Sequence, residues 1–226
     1  MKATAYPCPL PGGAAASELA LTFDQGRKHR VLVAPALFDE ANRMRRFTVE
    51  VMRRLDGAGI DAMLPDLPGC NESERPLAQV EPEDWHMGLE AAARHFGATH
   101  VLAIRGGGLV LPDKLPGWHF APVKGASLIK TLLRARIISA RESGREEDAA
   151  ELMERGKEQG IELAGWPLSA EMIRQLESLQ PPKRGDLAPV DQETIGGSAL
   201  WLRAEPDEAP DQADALAAVL AVALAA

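Results

Sequence analysis

Residues 98–112, ATHVLAIRGGGLVLP, carry an apolar strand into Arg-Gly-Gly-Gly and out again into apolar residues. Where a strand turns sharply into a helix above a parallel sheet, the pattern G-x-S-x-G lifts a catalytic serine. Its small residues keep neighbouring side chains from colliding in the turn. Here that frame holds Ala103, Ile104, Arg105, Gly106 and Gly107, so Arg105 stands where the serine would be. A guanidinium stays protonated at any working pH and is no acyl nucleophile. It can clamp a carboxylate or phosphate through two parallel hydrogen bonds. It can equally reach a local acid, Asp66 or Asp39, and tie two loops together. The sequence leaves both readings open.

The other reactive side chains are scattered. In the nucleophile–acid–base order that accompanies such a turn the histidine comes last, yet no histidine follows His119. Cys70, Ser73 and Ser127 are the remaining candidate nucleophiles. A reactive thiolate needs an electropositive setting and a base, and nothing near Cys70 in sequence supplies them. MLPDLPGCNES (63–73) places Asp66 at a strand end before a Pro-Gly turn. Asp66 and Asn71 suit side-chain to backbone bonds that hold such a turn, and the same loop could line a pocket. FDEANRMRR (38–46) opens a helix with acids that suit its dipole, and its arginines fit a solvated, ion-paired face better than an anion site. R-G-G-G-L is neither a dinucleotide fingerprint nor a phosphate-binding loop. No cofactor and no metal are expected.

These residues need elements to position them. Apolar runs at 30–36, 60–67 and 100–105 predict buried strands of a mostly parallel sheet, and 20–23 predicts an edge strand. Helical spacing predicts helices over 38–55, 85–96, 127–140, 145–159 and 169–179, with a last strand at 199–203. The result is a doubly wound α/β domain spanning 1–226, with 112–160 as a helical insertion or lid. Ligands of such sheets gather at the carboxyl ends of the strands. That rim brings together Ala36, Leu37, Phe38, Asp66, Arg105, Gly106 and Gly107 as candidate ligand-binding residues.

With 226 residues the chain can bury one sizeable core. A net charge of −8 argues against nucleic acid as partner. Two cysteines are too few for a disulfide framework, which fits a reducing cytoplasm. No targeting segment stands out, and the Ala-rich end DQADALAAVLAVALAA is too short to span a bilayer. It reads as a helix docked on the body. A homo-oligomer stays open.

The sequence resembles the α/β-hydrolase superfamily, and within it the exosortase A system-associated hydrolases of Gram-negative bacteria, nearest the type called hydrolase 2. The stretches that carry the likeness are VLVAPALFDEANRMRRF (31–47), MLPDLPGCNES (63–73), LAIRGGGLVL (102–111), WHFAPVKGASLIKTLLRARI (118–137) and ELAGWPLSAEM (162–172). The resemblance implies an α/β-hydrolase fold with a lid and a role beside exopolysaccharide synthesis and protein sorting. It also implies an acid, sought here among Asp186 and Asp191. The departures are the missing elbow serine, the missing late histidine and a shortened C-terminal part. The expectation is therefore a protein that binds a small anionic or acyl-bearing ligand at the elbow without the usual Ser-His-Asp chemistry. The alternatives are an ester or thioester hydrolase or acyltransferase with an atypical nucleophile, and a non-catalytic interaction protein.

Overall fold

The computed structural model describes residues 1–11, 13, 15–205 and 207–225. Side chains alternate between exposed and buried along much of β1 (Lys2–Pro9) and β2 (Ala15–Phe23), the period of strands with one wet face. The two pair antiparallel. The apolar run after them is β3 (Arg30–Ala34), which feeds helix α1 (Asp39–Gly57), strand β4 (Asp61–Pro65), helix α2 (Pro82–His95) and strand β5 (His100–Ile104). Strand β6 (Gly117–Phe120) follows, then helices α3 (Gly125–Glu142) and α4 (Ala149–Gln159). A small hairpin, β7 (Ile161–Leu163) with β8 (Trp166–Leu168), leads to helix α5 (Ala170–Ser178). The chain then passes through β9 (Leu187–Val190), α6 (Gln192–Ile195) and α7 (Pro210–Ala225).

The main sheet has the order β1-β2-β4-β3-β5-β6-β9, parallel from β4 to β9. Alternation along the central strands sends side chains to two separate cores. Leu32, Ala34, Val101 and Ala103 face α2, α3 and α5, where Trp85, Leu89, Leu132 and Leu176 close the layer. Val31, Val33, Leu102 and Ile104 face α1 and α7, packed on Met44, Phe47, Val51 and Leu216. The Ala-rich terminal helix is thus docked on the body, and an Arg54–Asp214 ion pair ties it to α1. Among the described residues no helix is long and apolar enough to cross a membrane.

Three sequence expectations are corrected. Residues 20–23 belong to β2, which is internal because β1 covers its outer side. Residues 199–203 form no strand: Leu200–Leu202 is a short 3-10 turn whose Trp201 ring packs edge-on to Phe120. The last sheet strand is instead β9, within a proline-bearing segment that carries no strand signal. Both outer strands hold prolines, Pro7 and Pro9 in β1 and Pro189 in β9. A sheet edge tolerates a residue without an N–H, and proline there blunts pairing with another chain. The span 112–160, expected as an insertion, contains the sheet strand β6. The helical layer over the rim starts at Gly125 and extends through the β7–β8 hairpin into α5.

Candidate functional site

β5 delivers the chain into Arg105 at φ 52°, a left-handed conformation that a bulky residue holds only when its surroundings impose it. The next residues wind into a 3-10 turn, Arg105–Leu109. Two glycines make this turn feasible. A Cβ on Gly107 would lie 2.4 Å from the carbonyl oxygens of Ala34 and Pro35, and one on Gly108 would lie 1.8 Å from Cε1 of His119. The elbow geometry expected from the glycines is therefore present, with arginine at its tip.

Each nitrogen of the guanidinium has an acceptor. Nε and Nη2 donate to Glu40 at 3.0 and 2.7 Å, and Nη1 donates to the Ala121 carbonyl at 3.1 Å. Its carbon lies 4.0 Å from the centroid of the Trp201 ring, a cation–π contact. Arg105 and Glu40 side chains are only 11 % and 8 % exposed. The partner is thus Glu40, not the Asp66 or Asp39 expected from sequence. Glu40 heads the buried stripe Met44, Phe47, Val51 and Leu55 of α1, so it points into the sheet. Asp39, one position back, is rotated about 100° around the helix and accepts a 2.8 Å hydrogen bond from Nε1 of Trp166.

His119 lies beneath the elbow on β6, with Nε2 2.8 Å from the Arg105 carbonyl. A carbonyl only accepts, so Nε2 carries the proton and donates. Burial holds the imidazole below its ordinary pKa. The nitrogen facing the elbow is a neutral donor rather than a base.

Ala36, Leu37, Phe38, Asp66, Gly106 and Gly107 all lie at this rim and are all buried. Phe38, at φ 57°, meets Trp85 of α2 and Trp166 of the β7–β8 hairpin edge-on, each at 5.6 Å between centroids. Asp66 holds its turn: Oδ1 accepts from Nδ2 of Asn71 at 2.7 Å, and its carbonyl accepts from the Tyr6 hydroxyl at 2.9 Å. Burial raises the Asp66 carboxyl above its ordinary range. Arg45 approaches it at 3.9 Å, while Arg43 donates to the Trp201 carbonyl and Arg46 pairs with Glu208. The arginines of α1 are therefore spent on internal pairs.

The other nucleophile candidates sit in settings that explain them structurally. Burial pushes the Cys70 thiol up to about 12, so it is not a thiolate. Ser73 Oγ donates to buried Glu18 at 2.8 Å and accepts from the backbone of Gly69 at 2.9 Å. Ser127 is exposed in the first turn of α3. Of the two candidate acids, Asp191 directly follows β9 at the rim, whereas Asp186 precedes the strand at the opposite end, bound by Arg184.

Glu40, Trp166 and Trp201 form the site's framework and escaped the sequence reading. For Glu40 a signal existed: an acid in register with the apolar stripe of α1. For the tryptophans there was none, because their contacts lie 127 and 96 positions away in sequence at Asp39 and Arg105.

No protein-family model matches the chain, and no curated protein matches it. Among solved structures, a putative hydrolase from Agrobacterium vitis S4 matches over 99 % of this chain and 97 % of its own, with TM-score 0.51 and 14 % identity. The α/β hydrolase GrgF from Penicillium sp. sh18 matches over 80 % and 74 %, with TM-score 0.49 and 14 % identity. Mouse alpha/beta hydrolase domain-containing protein 10 matches over 77 % and 69 %, with TM-score 0.48 and 12 % identity. The chain has the α/β-hydrolase fold.

Proposed function

We propose that this protein is a hydrolase-fold binding protein that holds an acyl-bearing small molecule at the elbow rim and performs no acyl-enzyme chemistry there. The observation that carries this reading is the Arg105–Glu40 clamp. The position of the nucleophile is filled by a cation that is already paired with a buried carboxylate and whose three nitrogens each already have an acceptor. An anion at Arg105 would have to displace a buried bidentate carboxylate, so the acyl part of the ligand is favoured over an anionic head. The apolar wall for such a chain is Phe38 with Leu37, and the Trp166 hairpin is the element that would open over it. Backbone N–H groups of residues 36–38 and Gly106 offer donors for a carbonyl. Without a nucleophile, such donors bind rather than catalyse.

The sequence likeness to exosortase A system-associated hydrolases supplies the context we attach to this reading: a cytoplasmic partner of exopolysaccharide synthesis and protein sorting. The test is thermal unfolding with decanoate, with its neutral glycerol monoester, and with phosphate and acetate. Both chain-bearing compounds should raise the midpoint, and Trp166→Ala should weaken their effect at least fivefold. A larger response to phosphate or acetate than to the neutral ester would overturn the acyl reading and restore an anion site. No response to any compound would overturn the binding reading itself.

A further inference from the structure

A second group of reactive side chains lies away from the elbow, in an open cleft of about 630 Å³ between α2 and the segment that follows the elbow turn. His86 and Glu90 stand one helical turn apart on α2, on one face of the helix. Asp113 faces them from the loop before β6. A ring nitrogen of His86 and one carboxylate oxygen each from Glu90 and Asp113 all lie within 4.8 Å of one another. His86 and Glu90 are half-buried and Asp113 is exposed.

The His86 imidazole is held by a backbone carbonyl. Nδ1 lies 2.9 Å from the Leu111 carbonyl, which only accepts, so the proton sits on Nδ1 and the lone pair on Nε2. A backbone carbonyl fixing one nitrogen so that the other can ligate is the usual outer support of a metal histidine. The Glu90 carboxylate is held as well. Glu90 Oε1 accepts from the Asp113 backbone N–H at 2.9 Å, which holds the loop against the helix, and Arg94 touches Oε2 from a largely exposed position. Among the described residues no cation lies within 4.0 Å of the Asp113 carboxylate.

We propose that His86, Glu90 and Asp113 form a binding site for a borderline divalent cation of the zinc and cobalt type. One imidazole with two carboxylates suits such ions better than calcium or magnesium, which take all-oxygen sets. Three protein ligands leave positions for water, and the bound ion would cross-link α2 to the segment behind the elbow. The sequence expectation of no metal did not weigh this H-x-x-x-E spacing, because its third ligand is 23 residues beyond Glu90.

The experiment is zinc titration of the tag-free, chelator-treated full chain by calorimetry, beside Asp113→Asn and His86→Gln. Cobalt absorption spectra follow coordination independently. Asp113 is exposed, so its substitution leaves the fold intact, and circular dichroism checks both variants. The His29–His100 pair, 6.1 Å between ring centroids, is the competing zinc position and is untouched by either change. One equivalent binding in the micromolar range, weakened at least tenfold by each substitution and not matched by calcium, supports the site. No saturable binding below millimolar zinc, or binding that survives either substitution within threefold, overturns it.

Discussion

Removing the Arg105 guanidinium should expose how much of the elbow rests on its pairing with Glu40. In Arg105→Met the long apolar stem survives, but two bonds to Glu40, one to the Ala121 carbonyl and the contact with Trp201 are lost. Glu40, with its side chain 8 % exposed, would keep a buried carboxylate without its cation. Breaking one side of a buried ion pair costs roughly 3–5 kcal/mol. For a domain of this size that lowers the unfolding midpoint by roughly 10 °C. Glu40→Leu should cost a similar amount, because the cation is then stranded. The double variant removes both charges together and should be less destabilised than the two singles summed, by about 2 kcal/mol or more. Urea unfolding of the four proteins at pH 7 closes the cycle. Additive losses, with a coupling below about 0.5 kcal/mol, would refute the clamp as the elbow's main support.

The elbow glycines give a sharper steric test. Gly108→Ala drives a methyl into the His119 ring, and Gly107→Ala drives one into two carbonyl oxygens, so each should cost at least about 1–3 kcal/mol in denaturant unfolding; losses below about 0.5 kcal/mol would show that the turn can shift. Glu18 is buried, and burial raises its carboxyl pKa despite the bond from Ser73. The folded state then holds its proton more tightly than the unfolded state, so stability falls as pH rises from the unfolded value through the folded one. Glu18→Gln should raise the midpoint at pH 7 and leave it nearly unchanged at pH 3.5, and an equal effect at both would contradict the desolvated carboxylate. His119 carries the opposite sign: its folded pKa is depressed by burial, so its contribution is present at neutral pH and is lost as pH falls through about 6.5 toward the folded value. His119→Gln should remove that slope between pH 7 and 5.

The sheet interior was legible because β3, β4 and β5 are covered on both faces and therefore apolar after their first residues, and the helix stripes of α1 and α2 were legible from their one buried face. The edges were not. β1 and β9 carry prolines that a central strand would exclude, and only the location of these strands at the rim of the sheet makes proline tolerable there. At the elbow, the glycines announced the turn, with Arg105 at its tip. The choice between anion site and internal pair depended on which acid of the α1 N-terminus faced inward. That is fixed by helix rotation: Asp39 turns toward Trp166 and Glu40 toward the sheet. The aromatic cluster of Phe38, Trp85 and Trp166 joins three segments distant in sequence, and no local pattern encodes it.

The most direct test of the elbow account is labelling of the folded protein with a broad serine- and cysteine-reactive fluorophosphonate and acylating probe set, read by intact mass and peptide mapping. The account predicts no stoichiometric adduct under conditions that fully label a control serine hydrolase, because Arg105 holds the nucleophile's place, Cys70 is a half-buried thiol whose pKa is raised, and Ser73 is tied into its turn. One stoichiometric adduct at a single residue, abolished by prior denaturation, would contradict it and would name the nucleophile.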